Sequence, residues 1–126
     1  YNMKFQFTYG EYKEFESDLI IMGFKKYNGK LHSEDYYLAK TIHRTEPDED
    51  GDTRSDLQLF ICVYDFSKYP AYTEADFMHL QVEIHISRNI DERIDLIVND
   101  KICKSIHDLE LFAFKFYDFI ASNVPE

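Results

Sequence analysis

The segment that most constrains the fold is residues 77–87, FMHLQVEIHIS, in which apolar and polar residues alternate without a break. Only a β-strand has a side-chain period of two, so the two sets must lie on opposite faces of a sheet. The apolar set comprises Met78, Leu80, Val82, Ile84 and Ile86, and the polar set comprises His79, Gln81, Glu83, His85 and Ser87. The segment therefore predicts a strand with one face on a core and one solvated face.

Three further segments predict strands of the same sheet. Residues 57–66, LQLFICVYDF, are apolar on both faces, which is typical of a central strand. Ile94, Leu96 and Val98 alternate again, and they predict a hairpin with the strand at 77–87. Asn28-Gly29 predicts a tight two-residue turn, followed by a strand that continues or restarts at Asp35.

Helices are predicted at both ends of the chain. Thr8 and Glu11 form a capping box, and Phe7 and Tyr12 have the spacing of a hydrophobic staple. The helix that follows should bury the stripe Tyr12, Phe15, Leu19 and Met22 and end at Gly23. Ser105 and Asp108 predict the start of a second helix, whose apolar stripe is Ile106, Leu109, Phe112, Ala113, Phe116 and Ile120.

Together these elements predict one α+β domain over residues 1–126. We expect a two-layer sandwich, with an antiparallel sheet of four to five strands and the N- and C-terminal helices packed on one face. A length of 126 residues suits a single core. The polar run at 44–56 is expected to be a mobile acidic loop.

The charge excludes several classes of function. The net charge is -10, which would repel a phosphate backbone or an anionic membrane surface, and no apolar run is long enough to cross a bilayer. We expect a cytoplasmic protein that binds no nucleic acid directly and no membrane. Cys62 and Cys103 are expected to be reduced and buried, because two cysteines are too few for a disulfide scaffold.

The acidic residues allow two interpretations. They could serve solubility, or they could present a surface that resembles nucleic acid to a basic target. The residues that would form this surface are Glu14, Glu16 and Asp18 on the first helix and Asp48, Glu49, Asp50, Asp52 and Asp56 in the loop.

The polar row of the alternating strand is the one candidate for metal or acid-base chemistry. Glu83 and His85 lie two apart on one strand face, so they are close enough to bind the same metal ion. A third ligand would have to come from His43, Asp65 or Asp95, which the sequence cannot place. No other catalytic, cofactor or nucleotide motif is present, so we expect no cofactor and no enzymatic activity.

Aromatic and apolar residues outside the predicted core indicate a contact surface. Phe60, Tyr64 and Phe66 share the second face of the central strand, and Leu111 and Phe114 lie opposite the buried stripe of the last helix. Either these side chains contact a protein partner or a second copy of the chain, or further segments of the chain cover them.

The sequence therefore favours a non-catalytic, acidic protein-interaction module. Inhibitor, immunity and adaptor proteins of bacteria or mobile elements have this small size, acidity and lack of site chemistry. The alternative is a small metal-dependent enzyme or metal-binding domain that uses Glu83 and His85.

Overall fold

The alternating segment forms a long strand near the middle of an antiparallel sheet. In a computed structural model, residues 5–45, 55–66, 78–88, 92–99 and 103–123 are described. Along the chain the elements are β1 (Gln6–Phe7), α1 (Tyr9–Ile21), β2 (Lys25–Tyr27), β3 (Tyr36–Arg44), β4 (Ser55–Asp65), β5 (Met78–Arg88), β6 (Glu92–Val98) and α2 (Ile106–Asn123).

The sheet is a meander in which consecutive strands from β2 to β6 pair with each other. The order is β1-β5-β4-β3-β2, and β6 also pairs with β5. The short β1 pairs with Met78 and His79, whereas β6 pairs with residues 82–88, so the two share the edge of β5 that faces away from β4. The predicted antiparallel sheet and the β5–β6 hairpin are confirmed.

The register places the apolar row of β5 in a continuous layer across the sheet. Ile61 of β4 pairs with both Leu38 of β3 and Val82 of β5, and Val82 pairs in turn with Val98 of β6. These four side chains are almost fully buried. Each contributes about 1.5–3 kcal/mol of burial free energy, so this row is the base of the core.

Both helices cover this layer, which confirms the predicted two-layer sandwich. Tyr12, Phe15 and Leu19 of α1 belong to the same buried cluster as the inner side chains of the strands. On α2 the predicted stripe also faces this cluster: Ile106, Leu109 and Ala113 are buried, and Phe112, Phe116 and Ile120 are partly buried. We call this side of the sheet the helix face and the opposite side the outer face.

The signals at the start of the helices are also confirmed. The Thr8 hydroxyl accepts a hydrogen bond from the backbone N–H of Glu11, and the Glu11 side chain accepts one from the backbone N–H of Thr8. The Phe7 ring lies edge-on to Tyr12, as the staple requires. At α2, the Ser105 hydroxyl accepts a hydrogen bond from the backbone N–H of Asp108. No helix of the described residues has the length and apolar character needed to cross a membrane.

The end of α1 is a Schellman motif. Gly23 has φ +101°, and its N–H donates to the carbonyl of Ile20 while the N–H of Phe24 donates to the carbonyl of Leu19. Met22 was predicted on the buried stripe, but it is 40% exposed because the chain turns away from the helix there. The stripe therefore ends at Leu19, and Phe24 takes the next buried position.

The prediction of a tight turn at Asn28-Gly29 is wrong. Strands β2 and β3 do form an antiparallel pair, but Tyr27 pairs with Tyr37, so residues 28–35 form a longer connection. Among the described glycines only Gly23 has a positive φ, whereas the predicted turn needs positive φ at both central residues.

Substitution of Gly23 tests the backbone constraint at the end of α1. We expect Gly23→Ala to lower the free energy of unfolding by about 1 kcal/mol, because an L side chain is strained at positive φ. The added Cβ would lie 3.5 Å from Lys40 Cε, an ordinary contact, so the cost comes from the backbone.

Gly10→Ala is the matched control, measured alongside in urea denaturation. It lies in the first turn of α1 with open space where a Cβ would be, so we expect a stability gain of about 0.5 kcal/mol. Equal effects of the two substitutions would contradict the proposed role of Gly23.

A second prediction concerns the contact of α1 with the sheet. Glu16 accepts hydrogen bonds from Lys26 Nζ at 3.4 Å and from the Tyr36 hydroxyl at 3.2 Å. Burial acts to raise the pKa of Glu16, but the hydroxyl of Tyr12, the charges of Lys26 and Lys13, and the hydroxyl of Tyr36 outweigh it. The pKa is therefore held below its ordinary value of 4.5.

A lowered pKa in the folded state contributes stability above the unfolded value and loses it as the pH falls. We therefore expect the stability difference between wild type and Glu16→Gln to be full above pH 4.5 and to shrink as the pH falls below it. Urea denaturation at several pH values measures this. A constant difference for Glu16→Gln over this pH range would contradict the prediction.

Candidate functional site

The outer face of the sheet carries a buried group of polar and ionisable side chains. Glu83 and His85 of β5 are each 2% exposed, and Glu34, from the connection between β2 and β3, is fully buried. Around them lie Cys62, Gln81, His32 and Asp95. We call these seven residues the outer-face polar cluster.

The Glu83 carboxylate is the centre of this cluster. Its Oε1 lies 3.1 Å from His85 Nε2, and its Oε2 lies 3.1 Å from His32 Nε2, 3.2 Å from Gln81 Nε2 and 3.5 Å from Cys62 Sγ. Burial acts to raise the pKa of Glu83, but these hydrogen bonds outweigh it and hold the pKa below its ordinary value. The cluster therefore surrounds an ionised carboxylate with donors.

His85 is held between two carboxylates and against an aromatic ring. While Nε2 faces Glu83, Nδ1 lies 3.6 Å from Asp95 Oδ1, which the register places directly opposite on β6. The imidazole stacks on Phe60 with ring centroids 4.1 Å apart. The ring orientation is thus fixed from three sides.

The connection at 28–35 covers this part of the outer face. Its backbone is fixed to β4 where the N–H of Asp35 donates to the carbonyl of Val63, and the Asp35 carboxylate accepts from the N–H of Asp65. Glu34 Oε1 accepts from the N–H of His32 at 2.7 Å, which orients the histidine toward Glu83. His32 and Glu34 were not among the predicted site residues, because a tight turn at Asn28-Gly29 would leave no long connection over the outer face.

Cys62 lies between two carboxylates. Burial and the neighbouring Glu34 and Glu83 raise the pKa of the Cys62 thiol far above its ordinary value. Both cysteines are free and buried, as expected. Burial acts to raise the pKa of Glu34 as well, but the neighbouring Cys62 thiol and hydrogen bonds from backbone N–H groups outweigh it and hold the pKa below its ordinary value.

The expectation of a solvated polar row on β5 is wrong at its centre. Glu83 is buried against His32 of the connection at 28–35, and His85 is buried against Phe60, whereas His79 and Gln81 are partly exposed. Of the three residues considered as a third ligand, Asp95 lies beside His85. Asp65 pairs with Met78 at the far end of β5, and His43 lies on the helix face against Tyr117, so neither joins the cluster.

The aromatic candidates on the outer face differ in accessibility. Phe60 is buried between His85 and Tyr37, so its ring is not available to a partner. Tyr64 and Phe66 are half-buried and stack on each other, and Phe66 also lies edge-on to His79.

The candidates on α2 are exposed on the helix side of the molecule. Leu111 is 49% exposed, and Phe114 is 37% exposed with its edge toward His43. The sheet separates them from the aromatic residues of β4, so the two sets do not form one surface. Exposed apolar side chains that the sequence analysis did not select lie at the end of α1, where Ile20, Ile21 and Met22 are exposed.

These exposed residues of α1 and α2 lie on either side of one ion pair. Lys40 Nζ is 2.9 Å from Glu110 Oε1, next to Leu111 in the chain, and a Cβ added at Gly23, next to Met22, would lie 3.5 Å from Lys40 Cε. We call Ile20, Ile21, Met22, Leu111 and Phe114 the helix-layer apolar patch.

The acidic candidates are distributed over different environments. Glu14 is exposed, whereas Glu16 and Asp18 are partly buried and Glu16 contacts β2 and β3. Asp56 was expected in the acidic loop, but it lies in β4 and pairs with Arg44 at 3.0 Å. Asp48, Glu49, Asp50 and Asp52 lie outside the described residues, as does most of the predicted loop at 44–56.

Comparison of the chain with protein-family models, with curated proteins and with solved structures gave no match.

The central role of Glu83 predicts the effect of removing its charge. We expect Glu83→Gln to lower the free energy of unfolding of the metal-free protein by about 1–3 kcal/mol, because several buried donors lose their charged acceptor. Amide hydrogen exchange should accelerate at His32, on the connection that Glu83 holds to the sheet.

The control is Gln58→Ala, which removes the exposed hydrogen bond of Gln58 to Thr41 on the same sheet face. We expect it to change stability by less than about 0.5 kcal/mol and to leave exchange at His32 unchanged. If Glu83→Gln behaves like this control, Glu83 does not hold the connection in place.

Proposed function

We propose that the protein is a non-catalytic, acidic interaction module that binds a basic protein partner through its helix layer. The observation that carries this proposal is the helix-layer apolar patch, in which Ile21 is 83% exposed and Leu111 is 49% exposed. Large apolar side chains exposed on both helices support a contact with a protein partner.

The distribution of exposed residues favours the helix layer over the outer face. Most of the large apolar side chains that are exposed in the described chain belong to α1, its C-cap or α2, whereas Phe60 on the outer face is buried. A partner that docks on the helices would cover apolar area without displacing any of the described residues. On the outer face the connection at 28–35 already occupies the central position.

The charge indicates the chemistry of the partner. Two copies of a chain with a net charge of -10 repel each other, whereas a protein with lysine and arginine around an apolar groove is attracted. We therefore propose a basic partner instead of a homodimer. The same charge supports the absence of direct nucleic-acid binding, and the two free, buried thiols support a cytoplasmic location.

Site-specific photo-crosslinking in the native host tests this proposal. A photoreactive residue at position 111 or 114 should capture the same basic protein, and one at position 97 should not. Ile97 is the matched control, because it is 63% exposed and lies on the outer face of β6. Capture of the same protein from all three positions would overturn the assignment to the helix layer.

Binding of the purified partner should then depend on the patch. We expect Leu111→Ser and Phe114→Ser each to weaken binding about thirtyfold, as for hot-spot residues worth about 2 kcal/mol, and Ile97→Ser to leave it unchanged. Affinity should fall with added salt if the partner is basic. Self-association through position 111, detected by light scattering, would replace the basic partner with a homodimer and overturn the proposal.

A further inference from the structure

We propose that the outer face binds a divalent cation of the zinc type through Glu83, His85 and Asp95. One ligand atom from each of these residues lies within 4.8 Å of the other two. A tetrahedral zinc site with bonds of 2.0–2.2 Å has neighbouring ligand atoms about 3.4 Å apart. The three residues are therefore close to ligating positions.

Two of the three ligands are already fixed in place. Gln81, His32 and Cys62 donate to Glu83 and orient its carboxylate, and Phe60 stacks on the His85 ring. Such supporting contacts fix the direction of ligand lone pairs before a metal binds. A cation on His85 Nε2 replaces the proton that this nitrogen donates to Glu83, and the proton is released to solvent.

Asp95 is the ligand that must move. Glu83 and Asp95 face different nitrogens of His85, so a cation on one nitrogen needs both carboxylates on the same side of the ring. Asp95 is partly exposed on an edge strand, which leaves its side chain room to rotate. It also pairs with Arg93 at 2.9 Å, and the cation must displace this guanidinium.

The same outer-face polar cluster contains a further buried carboxylate. Glu34 is fully buried next to the Cys62 thiol, and its Oε2 accepts no hydrogen bond from the described residues. A buried carboxylate oxygen without a donor is costly, and a nearby positive charge offsets this cost. Glu83 and Asp95 place a carboxylate at each nitrogen of His85, and Glu34 adds a buried carboxylate beside Cys62.

The ligand types indicate the class of metal. An imidazole together with carboxylates suits zinc and the neighbouring transition metals, whereas calcium and magnesium prefer oxygen ligands alone. His32, which is 41% exposed and 3.1 Å from Glu83, lies between the buried ligands and solvent. This histidine marks the side from which a cation enters.

Calorimetric titration of the chelator-treated full chain with Zn²⁺ alone tests this inference. The absorption spectrum of the protein with Co²⁺ in place of Zn²⁺ reports the ligand geometry. We expect one equivalent to bind, and Asp95→Asn to weaken binding at least tenfold. Asp95 is not buried, so this variant should fold. Arg93→Gln should strengthen binding, because it removes the competing cation.

The matched control is His107→Ala, since His107 is an exposed histidine on α2, away from the cluster. It should bind Zn²⁺ as the wild type does. The inference is overturned if no Zn²⁺ binds, if Asp95→Asn leaves the affinity unchanged, or if His107→Ala weakens binding as much as Asp95→Asn does. Tighter binding of Ca²⁺ or Mg²⁺ than of Zn²⁺ would overturn the metal class.

Discussion

The outer face of this protein depends on the solvation of one buried carboxylate. An ionised group removed from water is destabilising unless donors replace its hydration shell, and Glu83 obtains them from His85, His32, Gln81 and Cys62. Two of these donors lie on β5, one lies on β4, and His32 comes from the connection between β2 and β3. The hydrogen bonds to Glu83 therefore hold the connection between β2 and β3 against β4 and β5, in addition to the backbone hydrogen bonds of the sheet.

The two faces of β5 show how far the sequence predicts the structure. The alternation of residues 77–87 predicts the helix face correctly, because an apolar row on a strand has only one stable environment. The polar row has two stable environments, because it can face water or a further layer of the chain that supplies hydrogen bonds. The alternating pattern does not distinguish these two environments. In the structure Glu83 and His85 are buried beneath other parts of the chain.

Residues 28–35 explain why the candidate site could be predicted only in part. Asn28-Gly29 favours a two-residue turn locally, but the pairing of Tyr27 with Tyr37 places both residues in a longer connection that contacts β4 and β5. Contacts between residues distant in sequence therefore determine the conformation of residues 28–35. Glu83 and His85 could be selected from their spacing on a strand, whereas Asp95 required the β5–β6 register and His32 required the path of the connection.

The helix layer and the outer face carry separate chemistry because the sheet lies between them. The apolar row from Leu38 to Val98 fills the space under the helices, so a change at Asp95 has no direct contact with Leu111 or Phe114. The net charge of -10 acts on both sides, since it would attract the proposed basic partner to one and the proposed cation to the other. Salt should therefore weaken both interactions, whereas a substitution in one face should leave the other unchanged. Loss of both functions from a single substitution on either face would mean that the two faces are coupled through the core.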